Sequence, residues 1–157
     1  MSDDDFFLAR AVELAATGSR KGEGGPFGAV VVVAGHIVGE GWNRVVASKD
    51  PSAHAEVGAI RAACLALDHF HLPGATLYAS SEPCPMCLAT AYWARIARIV
   101  YANPRSAAAA IGFCDDELYG ELCRSDRERK IVMEHRPLAR ADAVLRDWAN
   151  DPQRIDY

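Results

Sequence analysis

Two patterns of hydrophobic spacing follow each other in the first forty residues. Residues 6–20 carry apolar side chains at helical spacing with charges between them, and this predicts an amphipathic helix whose end is marked by Gly18 and Gly22. Residues 27–33 form a run rich in β-branched side chains, which is typical of a buried strand. The turn at residues 34–36 then predicts a hairpin whose second arm covers residues 37–40.

Helices and strands continue to alternate up to residue 102. The segment Asp50–Ser52 combines a capping residue with proline, and it predicts a helix that runs through Leu67. A strand is predicted over residues 75–79, a third helix from about Cys84 to Ala94, and another strand over residues 97–102.

The pattern weakens beyond residue 104. We expect short helices at residues 105–111 and 115–122, a strand near residues 130–134, and a helix over residues 138–149. The whole order predicts one α/β domain over residues 1–157, with a central mixed sheet flanked by helices in three α/β/α layers.

Length and charge narrow the classes of function. The chain has 157 residues and a net charge of -4, from 17 basic and 21 acidic residues. This balance argues against a nucleic-acid partner, which usually requires a basic surface. The longest uncharged apolar run, residues 24–38, contains glycines, a proline and a histidine and is too short to span a membrane.

The compartment is inferred from the N-terminus and the cysteines. The sequence MSDDDFFLAR has acids where a secretory signal would carry positive charge. The five cysteines are an odd number and suit reduced thiols or metal ligands better than a disulfide framework. We therefore expect a cytoplasmic protein.

The segment SSEPCPMC, residues 80–87, carries the chemistry that most restricts the function. A C-x-x-C pair occurs in disulfides, redox pairs, structural zinc sites and catalytic zinc sites. Here Cys84 and Cys87 stand at the start of the third predicted helix, where positions i and i+3 share a face and the helix N-terminus favours thiolates. His54 and Glu56 stand at the start of the second.

One imidazole and two thiolates supply three protein ligands for a tetrahedral ion and leave the fourth position open, as in catalytic zinc sites. A structural zinc ribbon needs four ligands, commonly from a second C-x-x-C, which this sequence lacks. A thioredoxin-like redox pair has no need of the H-A-E segment. The combination therefore favours catalytic zinc.

H-x-E followed by P-C-x-x-C is a known signature of zinc-dependent nucleobase deaminases. From Gly24 to Tyr157 the chain resembles the cytidine and deoxycytidylate deaminase superfamily. The resemblance implies a cytidine deaminase-like fold and a hydrolase in which His54, Cys84 and Cys87 hold Zn²⁺. It also implies that zinc lowers the pKa of its bound water to ~7 and that Glu56 shuttles protons.

Longer segments resemble the bacterial guanine deaminases. They are GGPFGAVVV, DPSAHAEVGAIR, SSEPCPMCLATAYWAR, AAIGFCDDELY and the terminal tyrosine. The resemblance implies hydrolysis of guanine to xanthine and ammonia. It also implies a homodimer in which residues from about 138 to 157 cross to the partner and close its pocket. The substrate contacts that it implies are Phe27, Asn43, Ala55, Asp115 and Tyr157.

The chemistry of these side chains suits a purine, although several have a simpler structural alternative. Phe27 is suited to stacking on a base, or it is an ordinary core side chain. Asn43 is suited to donating and accepting hydrogen bonds at a base edge, or it is an ordinary turn residue. Asp115 accepts hydrogen bonds or caps a helix. Cys114 occupies a position that is usually acidic in the family, and we expect Asp115 to preserve the contact. We expect Trp93 in the core or at the pocket.

Other functions stay open at this point. A related deaminase would act on guanosine, isocytosine or cytosine. A tRNA adenosine deaminase would need phosphate contacts that the acidic composition does not suggest. A zinc-binding module without activity would have no use for a proton shuttle at Glu56.

Overall fold

The structure is a computed structural model that describes residues 2–157. The described residues form helices and strands in the order α1 (Asp3–Arg20), β1 (Gly28–Val33), β2 (His36–Trp42), α2 (Val45–Ser48), α3 (Ala55–Ala66), β3 (Thr76–Ser81), α4 (Pro85–Trp93), β4 (Arg98–Asn103), α5 (Arg105–Ala110), α6 (Asp115–Cys123) and α7 (Ala139–Asn150). Residues 2–119 form one compact unit and residues 120–157 a second.

The four strands form one sheet in the order β2-β1-β3-β4. β1 runs antiparallel to both β2 and β3, whereas β3 and β4 are parallel. The mixed sheet expected from the alternation of elements is therefore confirmed. The buried β1 confirms the interpretation of the valine-rich run, because a central strand is covered on both faces.

Helix α1 covers one face of the sheet. Its apolar stripe includes Phe7 and Leu14, which pack against Val30 and Tyr78. The helix begins at Asp3, three residues before the predicted start, because Ser2 and Asp5 form a reciprocal capping box. The predicted start followed the first apolar side chain and overlooked this cap.

Helices α3 and α4 cover the opposite face, where the larger core cluster includes Val31, Ile60 and Leu77. The backbone of α3 lies directly on β2, because a Cβ added at Gly41 would overlap the α3 backbone at Ala55. With α1 on the other face, residues 2–119 form the three layers that the sequence predicts.

Two predictions about local structure are wrong. α3 begins at Ala55, because the Asp50 carboxylate accepts hydrogen bonds from Ser52 N and Oγ at 2.8 and 2.7 Å and makes a turn before the helix. The strand expected near residues 130–134 does not form there. An apolar triplet such as Ile131–Met133 makes a strand only beside a partner strand, and its side chains are exposed.

The unit of residues 120–157 is held together by polar contacts. Arg129 pairs with Asp126 at 2.8 Å and donates from Nε to the carbonyl of Glu121 at 3.2 Å. None of residues 120–157 is buried. Among the described residues, no helix combines the length and the apolar character that crossing a membrane requires.

Candidate active site

The first turn of α3 places a histidine and a glutamate side by side. His54 is the N-cap of α3 and has extended backbone angles (φ -74°, ψ 156°), while Glu56 lies in the first turn. Glu56 is only 7% exposed. A buried carboxylate is rare in a protein interior unless a partner or a function retains it.

The first turn of α4 brings in the two cysteines. Cys84 is the N-cap, Pro85 is the first helical residue, and both Cys84 and Cys87 are buried. Proline suits this position, where a backbone N–H would have no helical partner. The sequence analysis placed H-A-E and P-C-x-x-C each at the start of a helix, and the structure has a helix start at both segments.

The three predicted ligands meet at one point. His54 Nδ1 lies 3.6 Å from Cys84 Sγ and 3.5 Å from Cys87 Sγ, and the two sulfurs are 3.6 Å apart. Zinc bound tetrahedrally, with Zn–S of about 2.3 Å and Zn–N of about 2.0 Å, holds such atoms roughly 3.5–3.8 Å apart. The donor set and its spacing therefore fit Zn²⁺.

The thiols are already polarised toward metal binding. The hydrogen bond between Cys84 and Cys87 holds the pKa of Cys84 far below its usual range, and His54 lowers it further. The same hydrogen bond raises the pKa of Cys87. A metal ion binds sulfur as the thiolate, and the lowered pKa of Cys84 favours that form.

Glu56 is suited to proton transfer. Burial in the site is the main cause that raises the pKa of its carboxyl from 4.5 to about 7, with a smaller contribution from the nearby Cys84. A carboxyl that titrates near neutral pH both accepts and donates protons at low cost. The role of Glu56 as acid and base stays a prediction, which this environment supports.

A cavity of about 350 Å³, open to solvent, lies next to these groups. The residues that line it are Phe27, Asn43, His54, Glu56, Glu82, Cys84, Phe113 and Asp115.

Asn43 is oriented by backbone contacts. Its Oδ1 accepts hydrogen bonds from the backbone N–H groups of Gly25 at 3.2 Å and Val45 at 3.3 Å. A carbonyl oxygen has two lone pairs, so both are used. The sequence suggested that Asn43 offers a donor and an acceptor, whereas the structure leaves the amide nitrogen as the group available to a ligand.

Two phenylalanines form an aromatic wall. The rings of Phe27 and Phe113 lie 4.8 Å apart at 88°, an edge-to-face arrangement. Phe27 also packs against the larger core cluster, so it serves both the core and the cavity.

Asp115 begins α6 and is half-buried at the cavity. Burial raises the pKa of its carboxyl, and the nearby Cys84 adds to this effect. Its neighbour Cys114 is exposed and does not line the cavity. Asp115 therefore faces the cavity and Cys114 does not, while contact of Asp115 with the substrate stays a prediction.

Three other residues that the sequence analysis named as substrate contacts or as candidates for the pocket do not line the cavity. The Ala55 side chain is fully buried in the larger core cluster, so only its backbone is left to contact a substrate. Tyr157 is exposed in the unit of residues 120–157. The expectation that Trp93 lies in the core or at the cavity is wrong, because Trp93 is 69% exposed.

The sequence interpretation missed two residues that line the cavity, Glu82 and Phe113. Both lie in segments already singled out, Glu82 two residues before Cys84 and Phe113 two residues before Asp115. That proximity was the available signal, and it was not used.

Comparison with known proteins identifies the family. Residues 1–103 match the family described as the cytidine and deoxycytidylate deaminase zinc-binding region. The chain belongs to this family. Its cofactor is therefore Zn²⁺, and the prediction of a zinc-dependent deaminase with a cytidine deaminase-like fold is confirmed.

Individual relatives are similar over different lengths. The guanine deaminase of Bacillus subtilis is 45% identical over 98% of each chain, and its crystal structure superimposes with a TM-score of 0.94 over 98% of each chain. A tRNA-specific adenosine deaminase of Agrobacterium fabrum is 39% identical over 71% of this chain and 74% of its own. A guanine deaminase of Nitrosomonas europaea has 32% identity and a TM-score of 0.66 over 69% of this chain and 63% of its own.

Proposed function

We propose that this protein hydrolyses guanine to xanthine and ammonia. The observation that carries the proposal is the cavity in which a buried Glu56 adjoins the His54, Cys84 and Cys87 triangle. Guanine, as opposed to another aminated ring, is supported by the likeness to the Bacillus subtilis guanine deaminase along nearly the whole chain.

In this mechanism His54, Cys84 and Cys87 would hold the zinc ion. When bound there, zinc would supply Lewis-acid chemistry that activates water near neutral pH. Glu56 accepts the first proton from the attacking water and delivers it to the ring nitrogen beside the attacked carbon. It then takes the second proton from the new hydroxyl group on that carbon and delivers it to the amino group, which leaves as ammonia when the C–N bond breaks. Water and guanine are consumed, and xanthine and ammonia are released.

The remaining residues of the cavity bind and orient the base. The amide nitrogen of Asn43 donates to a ring nitrogen or carbonyl oxygen, and the Asp115 carboxylate accepts from an N–H group. Phe27 and Phe113 supply the aromatic surface for the flat ring, and the Ala55 backbone lies beside the metal ligand His54.

We propose further that the whole chain acts as one deaminase domain within a homodimer. Residues 138–157, which include Tyr157, would then pack on the partner and close its pocket. The proposal is supported by the exposed apolar side chains of this segment, because helix α7 buries none of its own residues. Sedimentation of the full chain and of a chain ending at residue 137 tests it, since only the full chain should dimerise.

A cytoplasmic location is proposed from the cysteines. All five are free thiols, and two are needed as metal ligands in their reduced form. Fractionation of the producing cells tests this, and recovery from an exported fraction would contradict it.

The test of function is ammonia release by the purified, zinc-loaded protein. The panel is guanine, guanosine, isocytosine, cytosine, adenine and tRNA, with Glu56→Gln as the matched blank because it preserves the shape of the side chain. Guanine should give the dominant signal. A dominant signal from another base would agree with a zinc-dependent deaminase and refute guanine as its substrate. Turnover of tRNA would refute the assignment of a small-molecule substrate.

A further inference from the structure

Arg105 lies outside the cavity wall but contacts residues on both sides of it. It is the first residue of α5. Its Nε is 3.2 Å from Glu82 Oε1, and its Nη1 is 3.4 Å from Asp116 Oδ1. Its guanidinium carbon lies 4.5 Å from the centre of the Tyr119 ring.

These contacts join two segments that are distant in the sequence. Glu82 precedes the Cys84 ligand and lines the cavity, whereas Asp116 and Tyr119 belong to α6, whose first residue Asp115 also lines it. The Tyr119 hydroxyl donates to the carbonyl of Pro83 at 3.1 Å, so the same two segments meet at a second point.

The contacts differ in their strength. Glu82 is held twice, by the guanidinium and by the backbone N–H of Arg105 at 2.9 Å, and its side chain is only 19% exposed. Asp116 is 70% exposed, so its ion pair alone contributes little. The geometry of the bridge therefore depends mainly on Glu82 and on the stacking over Tyr119.

Only an arginine can make this combination of contacts. The planar guanidinium presents several N–H groups in a fixed plane, and the same plane stacks on an aromatic ring. A lysine ammonium would keep the charge but could not stack on Tyr119 while also reaching both carboxylates.

We propose that Arg105 is a positioning residue that ties the loop before Cys84 to α6 and thereby fixes Asp115, the first residue of that helix, at the wall of the cavity. The proposal rests on the proposed function, because it gives Asp115 the task of holding the base. Arg105 is not among the described residues that line the cavity, and it is not one of the three predicted metal ligands. Its removal should therefore loosen binding of the base while zinc stays bound.

The test compares Arg105→Ala and Arg105→Lys with the wild type. Arg105→Ala should raise both the KM for guanine and the inhibition constant of xanthine on the order of tenfold, with a smaller change in kcat and full zinc content. Arg105→Lys should lie between the two. Arg10→Ala is the matched control, since Arg10 also pairs with two carboxylates, Glu13 and Glu40, and should leave KM unchanged.

A double-mutant cycle with Asp115→Ala separates positioning from general stability. If Arg105 acts through Asp115, then Arg105→Ala should change the xanthine inhibition constant less than about twofold in the Asp115→Ala background. The full tenfold effect in that background, loss of zinc, or an unchanged KM in the single variant would each overturn the proposal. If Arg105→Ala does not fold, Arg105→Lys is the deciding variant. A wild-type KM for guanine in Arg105→Lys would overturn the proposal.

The test of Arg105 as a positioning residue can be distinguished from the test of guanine as the substrate. A wild type that is inactive on guanine refutes the proposed function. The ratios of variant to wild type are then measured with whichever base the wild type deaminates and with the product of that base as the inhibitor.

Discussion

The regions before and after residue 119 differ in what holds them together. Residues 2–119 contain a sheet covered on both faces and every buried side chain of the described chain. Residues 120–157 contain none, although helix α7 has a polar face and an apolar face with Val144, Leu145 and Trp148 exposed. The first region is stabilised by its own core, whereas the apolar surface of the second needs another surface to cover it.

This difference also separates two kinds of functional residue. The predicted metal ligands His54, Cys84 and Cys87, together with Glu56, lie at the starts of α3 and α4. The core of residues 2–119 holds these two helices in place. Tyr157 lies on a segment without a core, so its proposed role depends on a second chain. Mutations in the two regions should therefore have different consequences.

The largest effect is expected from a metal ligand in the first region. Cys84→Ala should reduce zinc content to a small fraction and abolish deamination, because two remaining ligands hold zinc poorly. Zinc content by elemental analysis and ammonia release check this. The control Cys123→Ala changes an exposed thiol and should retain both, while a zinc-loaded, active Cys84→Ala protein would refute the assignment of ligands.

Glu56→Gln should preserve the site and remove the chemistry. We expect full zinc content and a loss of kcat of about 10²–10⁴-fold, since the amide cannot take up or deliver the proton. Steady-state kinetics with guanine measure the loss. Activity within tenfold of the wild type would remove Glu56 from proton transfer.

A pair of leucines compares the regions directly. Leu77 is 0% exposed in β3, and Leu77→Ala should lower the free energy of unfolding by about 2–5 kcal/mol. Leu145 is 71% exposed, and Leu145→Ala should change monomer stability by less than about 0.5 kcal/mol while it weakens the dimer.

Urea unfolding and sedimentation at several protein concentrations measure both effects of the leucine pair. Equal destabilisation by the two variants would show that Leu145 is buried within a single chain. An unchanged dimer in Leu145→Ala would exclude this face of α7 from the interface.

The smallest effect is expected where α1 joins the sheet. Asp4 accepts from Tyr78 at 2.7 Å and pairs with Arg98 at 2.7 Å, and these contacts lower the pKa of Asp4 from 3.8 to about 2. Because the pKa is lower in the folded state, its contribution to stability is present above pH 4 and is lost as the pH falls from about 4 to 2.

Asp4→Asn should therefore lower the melting temperature slightly at pH 6, and the difference from wild type should shrink toward pH 3. Calorimetry at both pH values measures this difference. A gap that stays constant with pH would mean that the charge of Asp4 has no part in it.

The sequence was informative wherever function depended on local spacing. H-A-E and P-C-x-x-C each lie at a helix start, and the i, i+3 spacing of the two cysteines places both thiols on one face of the helix. The valine-rich β1 and the amphipathic α1 were recognisable for the same reason. The strand expected near residues 130–134 failed because a strand requires a partner that no local pattern supplies.

What the sequence by itself determined is therefore the type of chemistry: the ligands, the acidic residue beside them and the elements that carry them. Only the tertiary structure decided how the cavity is built. It brought Phe113 onto Phe27, used both lone pairs of the Asn43 oxygen for backbone contacts, and placed Arg105 between Glu82 and Asp116. Most of these contacts join residues far apart in the chain, and such pairings depend on packing of the whole sheet and its helices, which residue spacing does not encode.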